Sequence, residues 1–301
     1  MRTPPSLREL PRYPVVGAVA ALAVATSVAW WSQVDVSPLV ADYRVWPGQP
    51  WRLVTSALPH IDPLHLAFNV YWLWVFGTLV EDELGPLRTG AILLLFAVGS
   101  AAAEFAFMAG GVGLSGVGYG LFGFLWLLGK SDGRFSDAVD GRTTQLFVGW
   151  FFLCIVLTAS GYAPVANIAH GVGALLGVML GLVVASRAAR RRALAAALAA
   201  TMAVLLVLAT VARPYVNVSA LANQEIAYAG YQHLMAGENT TAARLYRQAV
   251  IMNGGAPVYW QNYGIALERL GRLDEAAKAY GKAQELERDS GAPPGQEPST
   301  Q

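Results

Sequence analysis

The sequence predicts an all-α protein, a polytopic membrane helix bundle followed by a small soluble helical-repeat domain. Three observations carry that expectation. Of the 301 residues, 55% are hydrophobic and only 14% are charged, where a soluble domain carries about 25% charge. The apolar residues fall into seven runs, at 15–34, 64–80, 89–108, 114–129, 144–160, 167–186 and 193–212, most of them near the roughly 20 residues that cross a bilayer as a helix. The stretch 222–290 is polar, helical in pattern and internally repeated. The expected boundaries are a cytoplasmic N-terminal segment over 1–14 and a six-helix core over 15–186. A seventh membrane helix over 187–213, repeats over 222–290 and a Gly- and Pro-rich disordered tail over 291–301 follow.

The first run follows Arg2, Arg8 and Arg12. It is long for the apolar core of a secretion signal and lacks a small-residue cleavage site, so it reads as a retained helix. With the N-terminus inside, the cytoplasmic loops hold Arg2, Arg8, Arg12, Arg88, Lys130, Arg134, Arg142, Arg187, Arg190, Arg191 and Arg192, against only Arg44 and Arg52 in the short external connections. The excess of basic residues on one side sets the orientation. It places the repeats outside, as in a bacterial inner-membrane protein. Trp30, Trp31, Trp46 and Trp51 read as an interfacial aromatic belt. A net charge of +1 argues against a nucleic-acid partner. Cys154 is the single cysteine, which excludes an internal disulfide and a cysteine metal cage.

The polar residues inside the apolar runs are the informative ones, because an imidazole or hydroxyl at membrane depth is costly unless it is used. Runs two, four and six all cross from outside to inside in this topology. His65 and Asn69 lie in the first turns of run two, Ser115 at the outer end of run four, and His170 in the first turn of run six. Four polar groups from distant parts of the sequence therefore reach one depth. Each alone has a plain structural explanation: a serine bonding back to its own turn, a histidine bridging two helices, an asparagine joining neighbours. Their shared depth does not.

Spacing brings the groups together laterally. His65 and Asn69, and likewise Ser115 and Tyr119, are separated by four residues and so share a helix face. His170 is followed by Gly173, Gly177 and Gly181, a stripe that permits close backbone approach, with Gly116, Gly120 and Gly123 as a counter-surface. Packing of those stripes would put Ser115 within reach of His170. The preceding Gly110-Gly111-Val112-Gly113 would let the chain enter the membrane as a loop, tolerable only where protein or a wet cavity surrounds it.

A serine becomes nucleophilic when a base takes its proton, and His170 is the imidazole placed to do so. The developing oxyanion needs donors, which His65, Asn69 and the Ser115 backbone N–H can supply. With no acid near His170 in sequence, a Ser–His dyad is expected, its imidazole oriented by packing on Tyr119. Other intramembrane chemistries lack their residues. The spans hold no paired aspartates, no H-E-x-x-H motif exists, and Lys130 lies at the wrong end of run four for a Ser–Lys pair.

At this point the sequence resembles the rhomboid intramembrane serine proteases over roughly 15–186. Trp51-Arg52 looks like the family's pair in the first external loop. His60-Ile61-Asp62-Pro63-Leu64-His65-Leu66-Ala67-Phe68-Asn69 matches its second-helix signature, and Glu81 with Gly85 matches the inner end of that helix. Gly113-Leu114-Ser115-Gly116 is similar to its GxSG, with Tyr119 at the aromatic position, and Ala166 to His170 followed by Gly173 matches its sixth helix. The resemblance implies a serine endopeptidase that cleaves the transmembrane segments of single-span proteins and needs no metal or organic cofactor. The alternative is a non-proteolytic scaffold or chaperone of the same fold that binds client helices. Glu81 and His60 are expected to be structural, Arg52 to pin the first loop, and Glu104 to bond a neighbouring helix or reach the interface.

Beyond run seven, Gly230, Gly237, Ala242, Ala243, Tyr246 and Ala249 recur 34 residues later as Gly264, Gly271, Ala276, Ala277, Tyr280 and Ala283. That period resembles tetratricopeptide repeats. Two repeats are few for a solenoid, which usually needs about three, so docking to a protein partner or to a second copy is expected, with a plain helical hairpin as the alternative.

Overall fold

The computed structural model describes residues 4–45, 48–219 and 221–289, and among them no β-strand occurs. Trp46 and the segment 291–301 lie outside the described residues. The chain divides into two compact units, Met1–Asn217 and Val218–Gln301.

The first unit is built from α1 (Pro14–Trp31), α2 (Pro63–Leu84), α3 (Pro86–Phe107), α4 (Ser115–Leu128), α5 (Gly141–Ala159), α6 (Asn167–Ala185) and α7 (Ala188–Ala209). Proline opens α1, α2 and α3, the position where its missing N–H costs least. The other early N–H groups of α1 are met from a distance, because the Glu81 carboxylate on α2 accepts from Val15 (2.9 Å) and Val16 (3.0 Å). In α2 the Asp62 side chain caps the helix by accepting from the His65 N–H at 2.9 Å.

Two departures from a simple reading of the apolar runs matter. The five residues Leu73–Gly77 of α2 form a π-helical turn, which widens the helix and resets its faces below Asn69. Among the described residues, six helices are long and apolar enough to cross a membrane, and α4 is not one of them. Its 14 residues reach about 21 Å, short of the roughly 30 Å hydrocarbon core. The reason lies in 108–114, which stay irregular and consume the chain that a full-length fourth span would have used.

Helix α4 is the centre of the unit, with Leu121, Phe124, Leu125 and Leu128 fully buried. Ideal β-carbons built on Gly173 and Gly177 of α6 would fall on the carbonyls of Gly116 and Gly120, and one on Gly123 would fall on the carbonyl of Ala174. The two helices thus touch backbone to backbone, as the glycine stripe predicts. Gly116 and Gly120 serve a second neighbour, since the space their side chains would need is taken by Ser100 and Phe96 of α3. The α7 helix packs through Leu198, Leu205 and Ala209, with Met202 seated over Gly99 of α3.

The second unit comprises two helical hairpins, α8 (Ala222–Met235) with α9 (Asn239–Met252), and α10 (Pro257–Arg269) with α11 (Leu273–Asp289). The sequence repeat is a structural one. A β-carbon on Gly230 would lie 3.2 Å from the Tyr246 ring, and one on Gly264 would lie 2.5 Å from the Tyr280 ring. Each hairpin therefore closes by laying a tyrosine over a glycine. The unit has its own core, including Ile226, Leu234, Leu245, Tyr246 and Leu267.

Candidate active site

Ser115 is the first residue of α4, so its N–H and those of the next residues have no partner within the helix. The side chain is partly exposed, while His170 is only 3% exposed. His170 Nε2 and Ser115 Oγ are 2.8 Å apart. The imidazole lies on Tyr119, ring centroids 4.7 Å apart and planes inclined by 25°. Tyr119 is itself held by donating its hydroxyl hydrogen to the Phe147 carbonyl of α5 at 2.9 Å. His170 Nδ1 is buried and has no hydrogen-bond partner among the described residues. The ring is thus oriented by a flat aromatic support and by the serine, with no acid bonded to it among the described residues.

His65 reaches the same place from α2. Gly113 has φ +105°, a region that L side chains rarely adopt, and a β-carbon there would stand 2.7 Å from His65 Cε1 and 3.2 Å from His60 Cδ2. The glycine is required by conformation and by space. Asn69, one turn further along α2, is 5% exposed, and its Nδ2 has no hydrogen-bond partner among the described residues. A buried amide donor of that kind is costly to leave unused.

His60 has a larger part than loop packing. Its Nε2 accepts the Leu114 N–H at 3.2 Å, which puts the ring proton on Nδ1, facing the Leu58 carbonyl at 2.9 Å. The His60 N–H donates to Ser27 Oγ of α1 at 3.0 Å. Burial, followed by the neighbouring charge of His65, lowers the His60 pKa to about 4. It is therefore neutral at neutral pH, as an acceptor must be.

Residues 47–187 match the family model of the Rhomboid domain, and residues 257–290 match that of the Tetratricopeptide repeat. The chain carries a rhomboid domain. The chain is 34% identical over 151 residues to Rhomboid protease GlpG of Enterobacter sp., covering 44% of this chain and 54% of that protein. It is 33% identical over 155 residues to Rhomboid protease GlpG of Photorhabdus laumondii, covering 49% and 54%. The chain thus spans about half the length of the curated relatives it matches. With six apolar helices of spanning length, it is an integral membrane protein.

In the rhomboid domain the loop between α1 and α2 is pinned by Arg52, 2% exposed. Its guanidinium donates to Gln49 Oε1 (2.6 Å) and to the carbonyls of Ser37 (2.6 Å) and Val40 (2.7 Å). The short helix it begins ends at Ser56, whose carbonyl accepts the Gly113 N–H at 3.0 Å. Arg52 therefore reaches the serine loop through one turn of helix, while Trp51 beside it is 51% exposed. Trp31 does more than mark an interface. Its indole N–H faces the carbonyls of His60 (3.0 Å) and Ile61 (3.1 Å), stapling α1 to the start of α2. Neither that bond nor the role of His60 was readable from spacing, because each joins elements whose distance is set only by packing. Glu104 of α3 accepts the Ala169 N–H at 3.0 Å, a contact to a neighbouring helix. Cys154 is buried and unpaired.

Proposed function

We propose that this protein is an intramembrane serine endopeptidase that cleaves the transmembrane segment of single-span membrane proteins through a Ser115–His170 dyad. The 2.8 Å contact between Ser115 Oγ and His170 Nε2 carries this reading. His170 takes the serine proton as Oγ attacks the scissile carbonyl, and returns it to the departing amine. A water then attacks the acyl ester by the same route in reverse, restoring the serine. The oxyanion is met by the Ser115 N–H, by Asn69 and by His65. The unengaged Nδ2 of Asn69 suits a partner that exists only during the reaction, and losing one such donor typically costs about 2.7–4 kcal/mol of transition-state stabilisation.

A peptide bond inside a helix has its carbonyl bonded and its faces shielded. Substrates therefore unwind locally, and small or helix-breaking residues near the outer end of their membrane segment favour cleavage. The enzyme lies in a bacterial inner membrane with its N-terminus cytoplasmic. The tetratricopeptide unit stands outside, where it recruits substrates or a protein partner. The likeness of the chain to proteins named rhomboid protease supports the reading, as does the presence of both reacting side chains.

The test is labelling with a fluorophosphonate in detergent. Labelling of the native protein, lost in Ser115→Ala and in His170→Ala while both variants unfold at temperatures near the parental one, is the expected result. Well-folded native protein that takes no label and releases no fragments from a model transmembrane substrate would leave the client-binding scaffold in its place.

A further inference from the structure

The helix that carries His170 begins without a local cap. Its N-cap residue is Ala166, and no side chain next to it in sequence accepts from the first turn. Alanine is a poor residue there, because it has no side-chain oxygen to accept from the first turn. The acceptor comes from another helix. Glu104, in the last turn of α3 and 5% exposed, places Oε2 3.0 Å from the Ala169 N. A carboxylate at a helix N-terminus also meets the positive end of the helix dipole. Ala169 immediately precedes His170.

The same residue borders the other half of the dyad. The Glu104 carbonyl accepts the Met108 N–H at 2.9 Å, ending α3 where the loop to Ser115 begins. A β-carbon on Gly111 of that loop would lie 3.7 Å from Glu104 Cγ and 2.8 Å from Ala166 Cβ. Glu104 thus lies where the serine loop and the first turn of α6 pass each other, and its side chain is hydrogen-bonded to only one of them. The rest of the α6 entrance is tied to α5, because Asn167 Nδ2 donates to Thr158 Oγ1 at 2.8 Å. Among the described residues, the carboxylate is the side-chain acceptor bonded to the N–H next to the histidine.

Given the proposed protease activity, on which this inference rests, we infer that Glu104 is a positioning residue: its carboxylate caps α6 from α3 and holds His170 in register with Ser115. It touches neither substrate nor reacting atoms. The capping is a matter of acceptor geometry, so an amide of the same shape should preserve most of it, whereas an apolar side chain of similar size should not.

The experiment compares full-length Glu104→Gln and Glu104→Leu with the parent in detergent. Fluorophosphonate labelling rate, kcat and KM on a model transmembrane substrate, and amide hydrogen exchange at residues 168–170 are measured. Expected for Glu104→Leu is at least a tenfold fall in labelling rate and kcat with KM within twofold, and at least tenfold faster exchange in the first turn of α6. Expected for Glu104→Gln is recovery to within about threefold of the parent in all of these. Should the leucine variant fail to fold, Glu104→Ala takes its place with the same expectations. Parental exchange at 168–170 in the apolar variant overturns the inference, and so does a glutamine variant as impaired as the leucine one. Exchange does not depend on turnover, so failure of the Glu104 cap is read separately from failure of the proposed protease activity.

Discussion

At Gly113, a β-carbon would meet His65 at 2.7 Å while the backbone sits at φ +105°. Strain of that kind costs roughly 1–3 kcal/mol, and here it would be relieved by moving the serine loop or the histidine. Gly113→Ala is expected to lose at least tenfold in kcat/KM on a transmembrane substrate, and cleavage at the parental rate would show that the loop accommodates the methyl group. His60 yields a prediction of a different kind. Its pKa is lowered from 6.5 to about 4 by burial and by His65, so the unfolded chain takes up a proton that the folded protein refuses. The stability linked to this group is intact above about pH 6.5 and is lost as pH falls from there toward 4. Thermal unfolding in detergent at pH 7.5, 6 and 5 should show a steeper decline for the parent than for His60→Gln, which keeps an acceptor for the Leu114 N–H but has no ring to protonate. Equal slopes would remove His60 from the account.

Helices α4 and α6 approach each other through glycine, and that contact sets the distance between Ser115 and His170. The atoms that a β-carbon on Gly177 would meet are the Gly120 carbonyl and, at 2.8 Å, the Phe124 N. Both belong to backbone, which cannot rotate out of the way. Overpacking of this sort costs about 1–3 kcal/mol, and Gly177→Val should lose both stability and cleavage. Gly118, on the same α4, has nothing within 4 Å of its would-be β-carbon, so Gly118→Ala serves as the control and should leave both within error. If both substitutions have the same effect, the glycine stripe is not what sets the spacing. The stripe itself was legible as a spacing of four. That Gly116 and Gly120 also make room for Ser100 and Phe96 was not, because a residue on a buried helix has two neighbours and a one-dimensional pattern names only one face. The π-helical turn of α2 was likewise hidden, since no residue type marks it.

The molecule as a whole consists of two units with separate cores, Met1–Asn217 and Val218–Gln301. Every side chain assigned to the dyad and its oxyanion donors belongs to the first. Ending the chain at Asn217 should therefore leave fluorophosphonate labelling of Ser115 within about threefold of the full-length rate. Cleavage of a natural substrate should fall further if the tetratricopeptide unit recruits it. Loss of labelling in a truncated protein that remains folded would place part of the catalytic machinery's support in the second unit.

Membrane insertion, the number of apolar runs, the repeat period and the residues worth suspecting all followed from one-dimensional properties: hydropathy, charge placement and intervals of four and 34. Those properties survive in the sequence because they describe a helix relative to lipid or to its own axis. The tertiary structure decided that α4 is short, that Trp31 ties α1 to the start of α2 while His60 holds the loop before Ser115, and that the carboxylates of Glu81 and Glu104 supply acceptors to helices they do not belong to. Each of these is a hydrogen bond or a length fixed by a neighbour from a remote part of the chain. Only packing brings such a neighbour within 3 Å or so, the range over which a hydrogen bond forms.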